Sequence, residues 1–193
     1  ITIKKATADE HGTDTGWQST YGDGQSTWTG GFNFGSSYWI FNGSVGSKSR
    51  TPTDYGFAFT SSSGIFALGV SPVGLVINNI HVSHIYSPAA ATDTEKMFLQ
   101  GGFQVGQTAN VSVSHSLLDG WQGGMMCRSA SCTNWVFEYN VALRGFSSGA
   151  NHGEWINANS GPMINPIVRY NYFEGNSGNA GLTAVAVANN NAM

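Results

Sequence analysis

The chain of 193 residues is long enough for one domain with a continuous core, and no break in composition divides it. Charged residues make up only 10% of the chain and the net charge is −3, so the sequence has no basic stripe for nucleic acid or for an anionic membrane surface. No run of about 18 apolar residues is present, and we therefore predict no segment inserted in a membrane.

The N-terminal part is predicted to contain two strands separated by a long connection. Ile1 to Lys5 has the alternating pattern of a strand, and Tyr38 to Asn42, followed by Gly43, is the next candidate. Residues 7–31 are too long for an ordinary connection and are interpreted as a long loop or an insertion. Because the chain begins within a strand and ends in Asn189 to Met193, we expect it to be a fragment of a longer chain.

Repeated strands are clearest over residues 75–188. Four short segments align without gaps, at offsets of 31, 25 and 31 residues: Ile80 to His84, Val111 to His115, Val136 to Asn140 and Ile167 to Asn171. A second family of short strands falls between them: Phe57 to Phe59, Met97 to Leu99, Met125 to Cys127, Trp155 to Asn157 and Leu182 to Val187. Gly, Ser and Asn interrupt every stretch in which a helix might begin.

Repeats of this length predict stacked coils, and the aligned positions become columns along the stack. We expect an aliphatic interior column, a polar corner column and an ion pair between Glu138 and Arg169 in neighbouring coils. The two columns are, in order, Ile80, Val111, Val136 and Ile167, and His84, His115, Asn140 and Asn171.

The predicted fold class is therefore all-β, a right-handed parallel β-helix that forms a single domain over residues 1–193. An antiparallel sandwich is the competing architecture. It requires hairpin signals every 8 to 12 residues or so, and the repeat of 25 to 31 residues fits stacked coils better.

Cys127 and Cys132 enclose four residues. They are interpreted as a disulfide that closes a small loop, with two reduced thiols on neighbouring strands as the alternative. A zinc site is not predicted, because no second Cys or His pair completes four ligands.

The chain resembles the parallel β-helix superfamily of bacterial extracellular polysaccharide metabolism, which includes pectate-lyase-like and chondroitinase-B-like enzymes. Four segments carry the resemblance: Ile1 to Ala6, Tyr38 to Gly43, His152 to Ile156 and Val168 to Phe173. The resemblance implies a secreted or cell-surface protein with a polysaccharide as its partner. These segments are typical of coils and contain no catalytic motif of the family.

Lyases of the resembled class neutralise a uronate carboxylate with Ca²⁺ or Arg and remove the adjacent proton with Lys, Arg or His. Lys96, Arg128, His152 and Glu154 lie at or beside the second strand family in successive coils, and they are the candidate catalytic residues. The alternative is that they are solvated turn residues.

Aromatic side chains indicate contact with sugar. Trp121, Tyr139 and Tyr170 are the candidate platforms, and Asn157 is assigned with them to substrate binding. A Ca²⁺ site is a weaker prediction, around Asp9, Glu10 and Asp14 or around Asp93 and Glu95, because neither segment has regular acidic spacing.

The leading hypothesis is a polysaccharide lyase that cleaves a uronate-containing polymer by β-elimination. The first alternative is a non-catalytic adhesive or filament-forming solenoid that associates end to end. The second is a glycoside hydrolase, which needs two suitably spaced carboxylates. Its candidates are Asp119, Glu138, Glu154 and Glu174.

Overall fold

Nearly all regular structure in the described residues is parallel β-sheet. The computed structural model describes residues 1–18, 20–22, 24–45, 51–60, 65–68, 75–88, 97–101, 105–129, 131–145, 154–158, 161–174 and 183–187. The one helix within them is a single 3-10 turn, Pro52–Asp54. In chain order the strands are β1 Thr2–Lys4, β2 Ser26–Thr29, β3 Phe32–Phe34, β4 Trp39–Asn42, β5 Phe57–Thr60, β6 Phe66–Leu68, β7 Leu75–Ser83, β8 Ile85–Pro88, β9 Met97–Gly101, β10 Val105–Ser114, β11 Leu117–Asp119, β12 Gly123–Cys127, β13 Cys132–Thr133, β14 Val136–Glu138, β15 Val141–Leu143, β16 Glu154–Ala158, β17 Met163–Ile164, β18 Ile167–Arg169, β19 Tyr172–Phe173 and β20 Thr183–Val187.

The strands form three sheets, and each coil contributes to all three. The first sheet has the order β1-β4-β7-β10-β13-β17, with β14 and β18 continuing from β10. The second has the order β2-β5-β8-β11-β15-β19, and the third β3-β6-β9-β12-β16-β20. All strand pairs are parallel, as in β4 with β7 and β12 with β16. The predicted fold class, an all-β parallel β-helix, is confirmed, and such crossover connections are almost always right-handed.

The coils differ in length but keep one register in the first sheet. The paired residues there are, in order, Thr2, Ile40, His81, Ser112, Val136 and Ile167. The predicted pairing of Tyr38 to Asn42 with the later repeats is confirmed. One predicted offset is wrong by a residue, because Ser112 and not Val111 pairs with Val136.

That one-residue difference reassigns the interior column, since neighbouring residues on a strand point to opposite faces. Phe41, Val82, Val113 and Phe137 stack in the interior and are fully buried. Of the predicted column, Ile80 and Val111 are interior. Ile167 is on the outside and 40% exposed, and Val136 pairs with it.

Aromatic rings fill the interior of the first coils. Phe41 packs with ring centroids 5.0 Å from Phe57, 5.2 Å from Phe59 and 5.7 Å from Phe66. Edge-to-face and tilted pairs at these separations add to the free energy of burying the rings.

Three corners of the coil are formed by residues with a left-handed backbone. The first corner contains Tyr38, Asn79, Asn110, Asn134 and Asn165, with φ between 51° and 67°. The second contains His84, His115, Tyr139 and Tyr170, with φ between 49° and 56°, and the third contains Gly120 and Arg144. Asn tolerates this conformation better than other side chains do. The sheet hydrogen bonds continue through the second corner, as from the His84 N–H to the Ser114 carbonyl (3.2 Å).

A buried row of polar side chains follows the second corner. Asn140 is fully buried, and its Oδ1 accepts from the Ser116 N–H (3.0 Å). Its Nδ2 donates to the Val113 carbonyl (2.9 Å), while Asn171 Oδ1 accepts from the Asn140 N–H (2.9 Å). The predicted polar column is therefore two separate columns, in which His115 stacks on Tyr139 and Ser116 precedes Asn140.

Two other sequence predictions have clear outcomes. The ion pair is confirmed, since Arg169 Nε donates to Glu138 Oε2 at 2.7 Å. The assignment of Phe57 to Phe59 to the second strand family is wrong, because β5 lies in the second sheet, between β2 and β8. Part of the segment 7–31 is a strand, β2, rather than a loop.

Candidate functional site

The third sheet positions the predicted catalytic residues that the structure describes. Arg128 follows the last residue of β12, and Glu154 is the first residue of the adjacent strand β16. Arg128 is half-buried, whereas Glu154 is 6% exposed. Lys96 and His152 lie outside the described residues.

A disulfide restrains the backbone next to Arg128. Cys127 at the end of β12 is bonded to Cys132 at the start of β13, and both are fully buried. The bond thus connects the third sheet to the first sheet of the next coil. Thr108 Oγ1 lies 3.3 Å from Cys132 Sγ and accepts from Trp135 Nε1 at 3.2 Å, which packs the bond into the interior.

Glu154 and Asn157 form a buried polar pair on β16. Asn157 is 7% exposed, and its Nδ2 donates to Glu154 Oε2 at 2.9 Å. All five residues of β16 and all five of β12 are buried, so both faces of these strands are covered. Desolvating a carboxylate is costly unless it is hydrogen-bonded or paired, and such groups are concentrated at functional sites. In this structure Asn157 contacts Glu154 and is shielded from solvent.

Trp121 is not available as a sugar platform. It is fully buried, and its Nε1 donates to the Ser87 carbonyl at 2.8 Å. Its ring packs 6.1 Å from Phe98 in the interior. The position of Trp121 after a turn favoured exposure in the sequence, but the large apolar ring completes the core instead.

Tyr139 and Tyr170 belong to a continuous stack of rings on the outer surface. His84, His115, Tyr139 and Tyr170 stack in that order, with centroid separations of 5.0, 4.9 and 4.9 Å. Stacking covers the ring faces between neighbours, so Tyr139 cannot place a face against a sugar as predicted. Tyr170, 65% exposed, terminates the stack among the described residues, and Arg169 lies 5.6 Å from its ring centre.

A ladder of carboxamides runs parallel to the ring stack. Asn110 Nδ2 donates to Asn79 Oδ1 at 3.3 Å, and Asn134 Nδ2 donates to Asn110 Oδ1 at 3.1 Å. Sequence analysis missed this ladder, although an Asn recurs directly before each aligned segment at positions 79, 110 and 134. A self-alignment that allowed the offset to change from 25 to 24 would have found it.

Between the two rows, His81 and Ser112 form an exposed pair. His81 Nδ1 and Ser112 Oγ are 2.8 Å apart, on adjacent strands of the first sheet. Burial lowers the pKa of His81 from its ordinary value of 6.5. Burial also lowers the pKa of His84, with a further contribution from the neighbouring imidazole of His115.

We expect the folded state to lose stability as the pH falls below about 6.5. With their pKa lowered on folding, His81 and His84 bind fewer protons in the folded than in the unfolded state, so their contribution is complete above pH 6.5 and is lost as the pH falls through the lowered values. Urea unfolding at pH 7.5 and pH 5.0 measures this difference.

The matched variants for that experiment share the second corner. His84→Asn removes an imidazole and keeps a residue that tolerates a left-handed backbone, so the pH dependence is expected to decrease. Tyr170→Asn makes the same replacement without removing a histidine and is expected to retain the pH dependence of the wild type. Equal slopes for wild type and His84→Asn would contradict the assignment.

Most other carboxylates named in the sequence already have cationic partners. Arg144 forms two hydrogen bonds with Asp119, at 2.6 and 2.5 Å, and Glu138 is paired with Arg169. In the first proposed calcium segment, Glu10 is paired with Lys4 at 2.5 Å. Asp93 and Glu95 lie outside the described residues. Within the residues the structure describes, no three His, Cys, Asp or Glu side chains are grouped to hold a metal ion.

Comparisons with known proteins add no functional assignment. The described part of the chain has no helix with the length and apolar character needed to cross a bilayer. No family model, no curated protein and no solved structure matches the chain significantly.

Proposed function

We propose that the protein is an extracellular carbohydrate-active β-helix of the pectate-lyase-like and chondroitinase-B-like kind, acting as a lyase on a uronate-containing polysaccharide. The observation that supports this proposal is the position of Arg128 beside the strand that holds the buried Glu154–Asn157 pair. A buried disulfide is typical of proteins from oxidising compartments, which supports a secreted or cell-surface location.

In the proposed reaction the guanidinium of Arg128 neutralises the uronate carboxylate, which acidifies the proton on C5. A base removes this proton, and His152 and Lys96 are the candidates. The C5–H electron pair forms the double bond between C4 and C5, and the C4–O bond breaks with its electrons on the glycosidic oxygen, which then takes up a proton. Arg128 therefore acts by stabilising negative charge as it develops.

Glycoside hydrolysis is less well supported. Two of its four candidate carboxylates, Asp119 and Glu138, are in ion pairs with arginines, and Glu154 is buried and bonded to Asn157. A pair of free carboxylates on either side of a glycosidic bond is therefore not found among these three.

Incubation with a panel of uronate polysaccharides tests the proposal through the ultraviolet absorbance of unsaturated products. We expect product from at least one polymer and a loss of about 100-fold or more in Arg128→Ala, the scale for removing a group that stabilises developing charge. Parallel reactions with a chelator report whether Ca²⁺ takes part.

Arg144→Ala is the matched control, since it also removes an exposed-end guanidinium but at the third corner, paired with Asp119. Lys96→Ala and His152→Ala identify the base. Absence of product from every polymer would refute the lyase proposal, as would equal activity of wild type and all three variants Lys96→Ala, Arg128→Ala and His152→Ala.

A further inference from the structure

The outer surface of the first sheet has a chemical pattern that differs from that of the proposed lyase site. We define the ladder face as the surface between the Asn79–Asn110–Asn134 ladder and the His84–His115–Tyr139–Tyr170 stack. The pair His81 and Ser112 lies between them, together with the aliphatic side chains of Ile40, Val136 and Ile167.

The ladder face carries almost no net charge. Its two bounding rows consist of carboxamides, imidazoles and phenols, and in the one row with charges Glu138 is paired with Arg169. Lowered pKa values keep His81 and His84 neutral at pH 7. A polyanion would find no uncompensated positive charge on this surface, so the face favours an uncharged partner.

Hydrogen-bond counting shows what the carboxamides still offer. A carboxamide has two N–H donors and two acceptor positions on oxygen. Asn110 uses one donor on Asn79 and one acceptor position on Asn134. It therefore retains one donor and one acceptor at an exposed position. A sugar hydroxyl is likewise both a donor and an acceptor.

The middle of the ladder face supplies apolar contact between two polar margins. Ile40 and Ile167 are 43% and 40% exposed, and the ring edges of the stack project beside them. The surface between the margins is up to about 16 Å wide, for five residues at the strand rise, and extends about 14 Å over four coils. The C–H faces of pyranose rings match the aliphatic strip, and their hydroxyls match the margins.

From this arrangement we propose that the ladder face binds a neutral polysaccharide chain, or the uncharged units of a heteropolymer. The inference shares with the proposed lyase function only the premise that the partner is a polysaccharide. It assigns binding to a surface other than the one that contains Arg128 and Glu154. No chemical step takes place there, and Asn110, Asn134 and Tyr170 are binding residues.

Calorimetric titration of the full chain with a soluble β-glucan, a galactomannan and a neutral xylan tests the inference. We expect at least one of them to bind, and the double variant Asn110→Gly/Asn134→Gly to weaken binding at least tenfold. Gly keeps the left-handed corner without strain, so the double variant removes the carboxamides with little effect on the backbone. Tyr170→Gly, at the open end of the stack, is expected to weaken binding as well.

Arg144→Gly is the matched control because it introduces Gly at a left-handed position of the third corner, away from the ladder face. It should bind like the wild type. Absence of binding to all three glycans would overturn the inference, and so would equal affinities of the double variant and the wild type. Concentration-dependent dimers that disappear in the double variant would identify a second copy of the chain as the occupant, and would also overturn it.

The two proposals can fail separately. Glycan binding without unsaturated product would refute the lyase and leave the ladder face as a binding surface. Product formation that is lost in Arg128→Ala but unchanged in Asn110→Gly/Asn134→Gly, with no affinity for neutral glycans, would support the lyase and refute the ladder-face inference.

Discussion

Phe41→Ala is expected to lower the free energy of unfolding by about 3 to 5 kcal/mol, the range for removing a fully buried phenylalanine ring. Phe41 is completely buried and lies within 6 Å, centre to centre, of five other aromatic rings. Those rings come from three sheets and cannot all move to fill the space that the substitution creates. Equilibrium unfolding in urea, followed by intrinsic fluorescence, measures the difference.

The control for that variant is Tyr172→Ala, which removes a ring that is 57% exposed on β19. It is expected to cost less than about 1 kcal/mol, as is usual for surface substitutions. Equal losses for Phe41→Ala and Tyr172→Ala would show that the aromatic interior of the first coils does not pack as described.

Asn140→Ala should destabilise the protein by about 3 kcal/mol although it removes only a small side chain. The substitution leaves the Ser116 N–H and the Val113 carbonyl buried without their partner. Each unsatisfied buried group costs about 1 to 3 kcal/mol. Asn140 also contacts Asn171 through its Nδ2 at 3.2 Å, so the effect should extend to the following coil.

Asn165→Gly provides the comparison, because Asn165 is an exposed asparagine at the first corner with a left-handed backbone. Gly adopts this conformation readily, so we expect a change within about 0.5 kcal/mol. If Asn140→Ala is as mild as Asn165→Gly, the buried hydrogen bonds do not contribute as proposed. Thermal unfolding of the two variants under one condition provides an independent measurement.

The architecture could be predicted from the sequence because a solenoid repeats the same environment in every coil. Ile80 and Val111 recur 31 residues apart in the same setting, and the structure pairs them. The second sheet was missed because its strands are short, such as Val141–Leu143, and directly follow a corner. Segments of two or three residues have too little alternation to be recognised as strands.

The error in register has a specific cause. Aligning His115 with Asn140 matched two polar side chains that have similar hydrogen-bonding groups. In the structure His115 stacks on Tyr139, because both occupy the left-handed corner. A corner position is defined by its backbone dihedral angles, and the residues that tolerate them here include histidine and tyrosine as well as asparagine. Residue type alone therefore could not identify it.

The candidate site was less predictable than the fold. Whether a tryptophan such as Trp121 faces the interior depends on the exact residue at which a corner ends, and the sequence does not specify that residue. The burial of Glu154 depends on what covers the outer face of β16, which is a long-range property. Local patterns predict which residues lie on a strand, but not how the outer face of that strand is covered.

The carboxamide ladder gives the outer surface a direction. Asn134 donates to Asn110, and Asn110 donates to Asn79, so successive amide dipoles point the same way along the solenoid axis. Aligned hydrogen bonds polarise one another, and the two ends of such a row are electrically different. A polysaccharide also has two different ends, a reducing and a non-reducing one. A polar row of this kind distinguishes the two orientations of a bound chain, as a symmetric surface does not.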